Sequence, residues 1–235
     1  MRALMDFWKG FKLLPSAWLL LVQLLILILS VFTAHSATFQ EFTWSLGILA
    51  LLIIAKVIRQ TPIYTLLGLF FVVGALILSF LILLGYHSLT MQVSADIFHA
   101  CAYFSAAYGL ILYMFTDKYV TKDELFAAGA VFTLIVWAFA FLYNICQLIV
   151  PNSFSNPNYH GLQTWVDLLF ISFSLQSATG LSDLMPVSPL ARVLAMLQMF
   201  CGVMYLTLIV SRLVAMHYIR IRPNENKGIE KSSDE

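Results

Sequence analysis

The residues best placed to do chemistry are seven in a row: Ser177, Ala178, Thr179, Gly180, Leu181, Ser182 and Asp183, which bring three hydroxyls, a glycine and a carboxylate together. They follow an apolar stretch from Leu162 to Gln176. That stretch is about four helical turns long, too short to cross a bilayer as a helix, which takes about 20 residues. A turn-rich run, PNSFSNPNYHG, precedes it from Pro151, and Pro186 and Pro189 come after it. A short helix, an irregular polar strand and then a full span make a re-entrant element. Non-helical backbone at membrane depth is tolerated only where it is buried in protein or lines a water-filled cavity. The chemistry open to such a segment is exchange of a cation's water shell for backbone carbonyl oxygens. Aligning successive carbonyls calls for positive φ, which glycine adopts cheaply, so Gly180 is the expected pivot.

The rest of the chain must place that segment in lipid. Of its 235 residues 61% are hydrophobic and only 11% charged, against about 25% charged in soluble domains. A soluble globular protein and a disordered chain are both excluded. Apolar stretches of spanning length run Ala17 to Ala34, Phe42 to Ile58, Ile63 to Leu84, Ile97 to Phe115, Leu125 to Val150 and Leu190 to Tyr218. Pro15, Pro62 and Pro189 stand at helix starts, where a missing N–H costs nothing. The expected fold is therefore all-α and integral to the membrane, with six transmembrane helices and the re-entrant helix and loop between the fifth and sixth.

Orientation follows from lysine and arginine, which stay on the cytoplasmic side. Arg2, Lys9 and Lys12 precede the first span, Lys56 and Arg59 lie between the second and third, and Lys118 and Lys122 between the fourth and fifth. Arg220, Arg222, Lys227 and Lys231 follow the sixth, while 35–41, 85–96 and 151–189 hold no Lys or Arg. Both termini are expected in the cytoplasm. A cleavable leader over Leu19 to Ser36 is the competing reading of the first span, disfavoured by its long basic lead-in. Residues 1–16, with Phe7, Trp8, Phe11 and Leu14 among basic residues, read as an amphipathic surface segment. Residues 17–123 read as a four-helix transmembrane region, 124–219 as the segment with outer helix, short helix, loop and inner helix, and 220–235 as a disordered cytoplasmic tail.

The segment from Trp165, WVDLLFIS and then SATGLSDLMPVSPLARVLAMLQMFCGVMYLTLIVSRLVA, resembles the pore helix, filter and inner helix of the tetrameric potassium channel superfamily. It is most similar to short bacterial members with a two-span ion-channel domain. The family filter reads T-T-V-G-Y-G-D, which falls without a gap on Ser177 to Asp183. Pro189 to Arg192 match the start of the inner helix, and Gly202 stands where the family carries a glycine that can bend that helix. The resemblance implies that carbonyls of Ala178, Thr179, Gly180 and Leu181 hold dehydrated potassium, or sodium, while the hydroxyls of Ser177 and Thr179 brace them. Asp183 would concentrate cations at the outer mouth. Trp165, Asp167, Phe170 and Ser172 would support the filter from the pore helix, Asp167 also favouring that helix's positive end. It also implies a homotetramer, since one such loop cannot enclose an axis, and a bacterial inner membrane.

The sequence departs from the family at Ala178 for threonine, Leu181 for tyrosine and Ser182 for the second glycine. A serine kept in the left-handed conformation there carries a penalty on the order of 1 kcal/mol. A non-selective cation pore, or a non-conducting channel-like subunit or sensor, stands as the alternative. The fourth span holds no Lys or Arg, which argues against a steep arginine-based voltage sensor. Cys101, Cys146 and Cys201 are scattered, and His35, His87, His99 and His160 lie singly near the outer side, so neither a disulfide framework nor a metal site is expected. Nothing points to an enzyme, a cofactor beyond permeant ions, nucleic acid or a soluble regulatory domain.

Overall fold

The computed structural model describes residues 15–33, 62–86, 88–116, 122–157 and 161–232. It contains helices α1 (Pro15–Thr33), α2 (Pro62–Leu83), α3 (Leu89–Thr116), α4 (Lys122–Ile149), α5 (Trp165–Gln176) and α6 (Pro189–Ser232). Strands β1 (Phe154–Ser155) and β2 (Met185–Pro186) pair antiparallel, with Phe154 opposite Pro186 and Ser155 opposite Met185. Three described helices are long and apolar enough to cross a bilayer: Leu89–Phe115, Asp123–Ile149 and Pro189–Arg212. The expected spans at α1 and α2 form apolar helices that begin at Pro15 and Pro62. The expected second span, Phe42 to Ile58, lies outside the described residues, as do residues 1–14 of the amphipathic segment.

Two boundaries differ from the sequence reading. Helix α3 starts at Leu89 rather than Ile97, because the Ser88 hydroxyl accepts the Met91 N–H at 3.3 Å and caps the first turn. Asp96, expected in the outer loop, is thus inside a helix and buried, with the Asn144 amide donating to its carboxylate at 2.7 Å. Helix α6 is described through Ser232, past the expected end of the sixth span at Tyr218 and into the stretch after Ile219 expected as a disordered tail.

Helix α4 is the hub, packing on α1, α3, α5 and α6. Ala127, Ala130, Ala138 and Ala140 are fully buried along it, and small residues let helices approach closely in lipid. Trp137, Phe139, Phe141 and Tyr143 fill the spaces between. At the α4 start, Asp123 accepts from the Ser16 N–H at 3.2 Å and the Ser16 hydroxyl at 2.9 Å, and from the Tyr113 hydroxyl at 3.3 Å. Further along, the Thr133 hydroxyl donates to Gln23 at 2.7 Å.

Helix α6 is unusual in which face it buries. Val193, Met196, Phe200, Val203 and Leu208 are exposed, while Ala191, Ala195, Gln198, Gly202 and Tyr205 are buried against the chain's own helices. Every polar member of the inward stripe is bonded: Gln198 to Tyr143 and Ser172, Tyr205 to the Ala128 carbonyl, and Arg212 to Glu124 at 3.2 Å. The Arg212 guanidinium also lies over the Phe115 ring, 4.6 Å from its centroid, so the lower part of α6 is clasped to both α4 and α3.

Breaking a buried ion pair by removing one partner costs about 3–5 kcal/mol, and Arg212 and Glu124 have side chains only 9% and 3% exposed. Arg212→Met or Glu124→Gln should therefore lower the melting temperature of the detergent-purified protein. The double variant Arg212→Met/Glu124→Met should recover much of the loss, because no orphaned charge remains. Thermal melts of the three proteins check this.

Candidate functional site

The site is built outward from α5. This helix has 12 residues, about 18 Å by the usual rise, well short of a hydrocarbon core about 30 Å thick. Its first turn is a capping box: the Thr164 hydroxyl accepts the Asp167 N–H at 3.3 Å, and the Asp167 carboxylate accepts the Thr164 N–H at 3.2 Å. Thr164 is therefore the N-cap and Asp167 the N3 carboxylate of the box, at the positive end of the helix as expected. Upstream, Gln147 on α4 accepts the Gln163 N–H at 2.8 Å and donates to Asn144 at 2.8 Å. Asn144 in turn donates to Asp96. A chain of side-chain amides thus runs from the residue before the cap to a carboxylate on α3.

The middle of α5 is held on both sides. Trp165 packs against Phe141, with ring centroids 4.6 Å apart, and against Trp137 at 6.1 Å. The Ser172 hydroxyl donates to the Val136 carbonyl of α4 at 2.7 Å. From α6, the Gln198 amide donates to the Ser172 carbonyl at 3.0 Å and its hydroxyl at 2.6 Å, while its own oxygen accepts the Tyr143 hydroxyl at 2.5 Å. Phe170, grouped with these residues by sequence, is half exposed and faces away from this packing.

The end of α5 is a Schellman turn. The Ala178 N–H donates to the Leu175 carbonyl at 3.2 Å and the Thr179 N–H to the Ser174 carbonyl at 3.1 Å, the paired bonds of that motif. It places Ala178 in the left-handed region at φ 57°, with Gly180 following at φ 69°. An alanine there costs about 1–2 kcal/mol, which the closed turn must offset. The Ser177 hydroxyl donates to the Phe173 carbonyl at 2.7 Å and lies 3.1 Å from the Thr179 hydroxyl. Both hydroxyls expected to brace the segment therefore sit against the last turn of α5.

Ser182 differs from the expectation. It is not among the residues with positive φ, so the penalty set out for it does not arise. Its hydroxyl closes a local turn, accepting the Leu184 N–H at 3.2 Å and donating to the Leu184 carbonyl at 3.3 Å. The left-handed pair is Ala178 and Gly180, two residues earlier in the chain than the glycine pattern suggests. Asp183 is exposed and makes no hydrogen bond or ion pair among the described residues. Leu181 is 70% exposed.

No donor among the described residues reaches the carbonyls of Ala178, Thr179, Gly180 or Leu181. Beyond them, the Val187 N–H donates to the Ser153 carbonyl at 2.8 Å beside the β1–β2 pair, tying the departing chain to the end of α4. Arg192, at the start of α6, donates to the Pro186 carbonyl at 3.2 Å. Gly202 lies against the end of α5: a Cβ there would stand 2.5 Å from the Gln176 carbonyl oxygen and 3.0 Å from its Cα. It is a contact point between α5 and α6.

Sequence reasoning missed Gln198, Tyr143, Asn144, Gln147 and Asp96. The available signal was a single amide, Gln198, in an otherwise apolar span, since polar residues inside spans face partners or function.

Residues 127–218 match the family model described as ion channel. The resemblance to the tetrameric potassium channel superfamily thus holds over α4, the short helix, the loop and α6. That stretch is similar to an ion-channel domain, and with its apolar helices of spanning length the protein is integral to the membrane. No curated protein and no solved structure matches the chain.

Gly202→Ala separates two roles for this residue. In a free helix alanine would stabilise by about 1 kcal/mol, whereas against the Gln176 backbone it must push α5 and α6 apart. A fall in the melting temperature of the purified protein is expected. A rise would show that the contact does not constrain the helix.

Proposed function

We propose that the protein is a passive channel for monovalent cations, with potassium favoured, assembled as a homotetramer around the four copies of the 177–183 turn. The observation that carries this reading is the set of four consecutive carbonyls, Ala178 to Leu181, that no donor among the described residues claims, while the helix before them is anchored at both ends and in its middle. Exposed acceptors at membrane depth need partners, and a dehydrated cation at a four-fold axis supplies one. Left-handed residues at Ala178 and Gly180, with Thr179 between, support a common orientation for these groups.

In this reading Ser177 and Thr179 brace the filter, Asp183 stands at the outer mouth as a carboxylate ring, and Ser182 shapes the exit. The exposed apolar face of α6 packs against neighbouring subunits and lines the inner cavity. Both termini lie in the cytoplasm, the inner membrane of a bacterium is the favoured location, and opening is not steeply voltage-dependent. A non-selective cation pore is the second reading, favoured by the missing hydroxyl at Ala178 and by the absence of a left-handed residue at Ser182.

Currents through the purified protein in planar bilayers, with potassium on one side and sodium on the other, test this. A reversal potential near the potassium equilibrium value supports the reading, and a value near zero supports the non-selective pore. Silence from an intact tetramer across pH and lipid composition rejects both. Gly180→Ala adds a side chain at φ 69°, at about 1–2 kcal/mol per subunit, and should abolish flux with expression and oligomer size retained. Normal currents in that variant would contradict the filter assignment.

A further inference from the structure

We infer that Gln198 is the positioning residue for ion selectivity in this chain, an inference that rests on the conducting reading above. Gln198 is fully buried, and its amide is the point where three helices meet. It donates to the carbonyl and hydroxyl of Ser172 on α5 and accepts from Tyr143 on α4. Ser172 then passes the contact on to the Val136 carbonyl. One turn further along both helices, Gly202 of α6 lies on the backbone of Gln176 of α5. Helices α5 and α6 are therefore locked at two successive turns, once by hydrogen bonds and once by bare backbone contact. The second contact sits directly beneath the Schellman turn that sets Ala178, Thr179 and Gly180.

The need for such a lock follows from what the loop itself lacks. Ser177 and Thr179 spend their hydroxyls on the last turn of α5 and on each other, Ser182 bonds only to Leu184, and Leu181 is exposed without a polar group. Nothing in the loop before Leu184 reaches another helix through a side-chain hydrogen bond among the described residues. The place of the four carbonyls is then set by where α5 ends, and α5 is placed from α6 by Gln198. Gln198 touches no ion. It acts through Ser172 and the end of the helix.

The test compares Gln198→Met, which keeps the volume and removes the amide, with Tyr205→Phe. The latter removes another buried α6 bond, to the Ala128 carbonyl of α4, away from α5. Relative permeabilities for potassium, sodium, rubidium and caesium are read from reversal potentials of the full-length protein in planar bilayers. Gln198→Met should change the potassium-to-sodium ratio on the order of tenfold, as expected when a buried donor loses its partner, and Tyr205→Phe should leave it as in wild type. The double variant Gln198→Met/Ser172→Ala, in which fewer orphaned groups remain, should regain thermal stability but not the wild-type ratio. Recovery of both, or an unchanged ratio in Gln198→Met, would overturn the inference. Should Gln198→Met fail to assemble, Ser172→Ala alone is read the same way. Wild-type silence would reject the conducting reading and this inference with it, whereas wild-type currents with identical ratios in the variants would reject this inference alone.

Discussion

A membrane leaves no water to satisfy backbone groups, so each carbonyl within it needs a protein donor or another partner. Among the described residues the helices meet that requirement for themselves, while the carbonyls of Ala178 to Leu181 have no protein donor, which makes them the exception in the proposed reading. What surrounds them holds that exception in place. A capping box fixes the start of α5, an amide chain fixes the residue before it, Gln198 fixes its middle, and a Schellman turn fixes its end. The two short strands then hold the chain after the turn against the end of α4.

The cost of the exception is local. Ala178 bears a left-handed conformation that glycine would adopt without strain. The paired bonds of the turn keep it there, and the same conformation brings Thr179 back over the last turn of α5. Ser182 lies outside the positive-φ region, so the strained non-glycine residue is at the start of the segment, Ala178, and not near its end.

Much of the architecture was legible from residues alone. The length of Leu162–Gln176, the prolines at 15, 62 and 189, Asp167 at a helix start and the need for positive φ at Gly180 all correspond to features of the fold. Ser182 misled because its conformation depends on where the preceding helix closes, a choice made by the last turn of α5. Asp96 stood just before the expected start of the fourth span, and in the fold it is buried on α3 with one carboxylate oxygen bonded by the Asn144 amide. Gln198 escaped because one amide barely alters the apolar character of α6. Its meaning lies in Ser172 and Tyr143, which are 26 and 55 positions away.

Three polar residues of α6 that bond to other helices, Gln198, Tyr205 and Arg212, recur every seventh position and meet partners on α4 or α5. A seven-residue repeat returns to nearly the same side of a helix after two turns, so the three form a single line of keyed contacts. Sliding α6 along its axis by one residue would unseat all three at once, as would a roll about that axis. Piston-like and screw-like displacements are therefore opposed by the whole line. A sideways splay of the C-terminal end can instead release Arg212 first, then Tyr205, and leave Gln198 engaged. Conformational change in this helix is thereby given a sequence as well as a direction, beginning at the end farthest from the turn it supports.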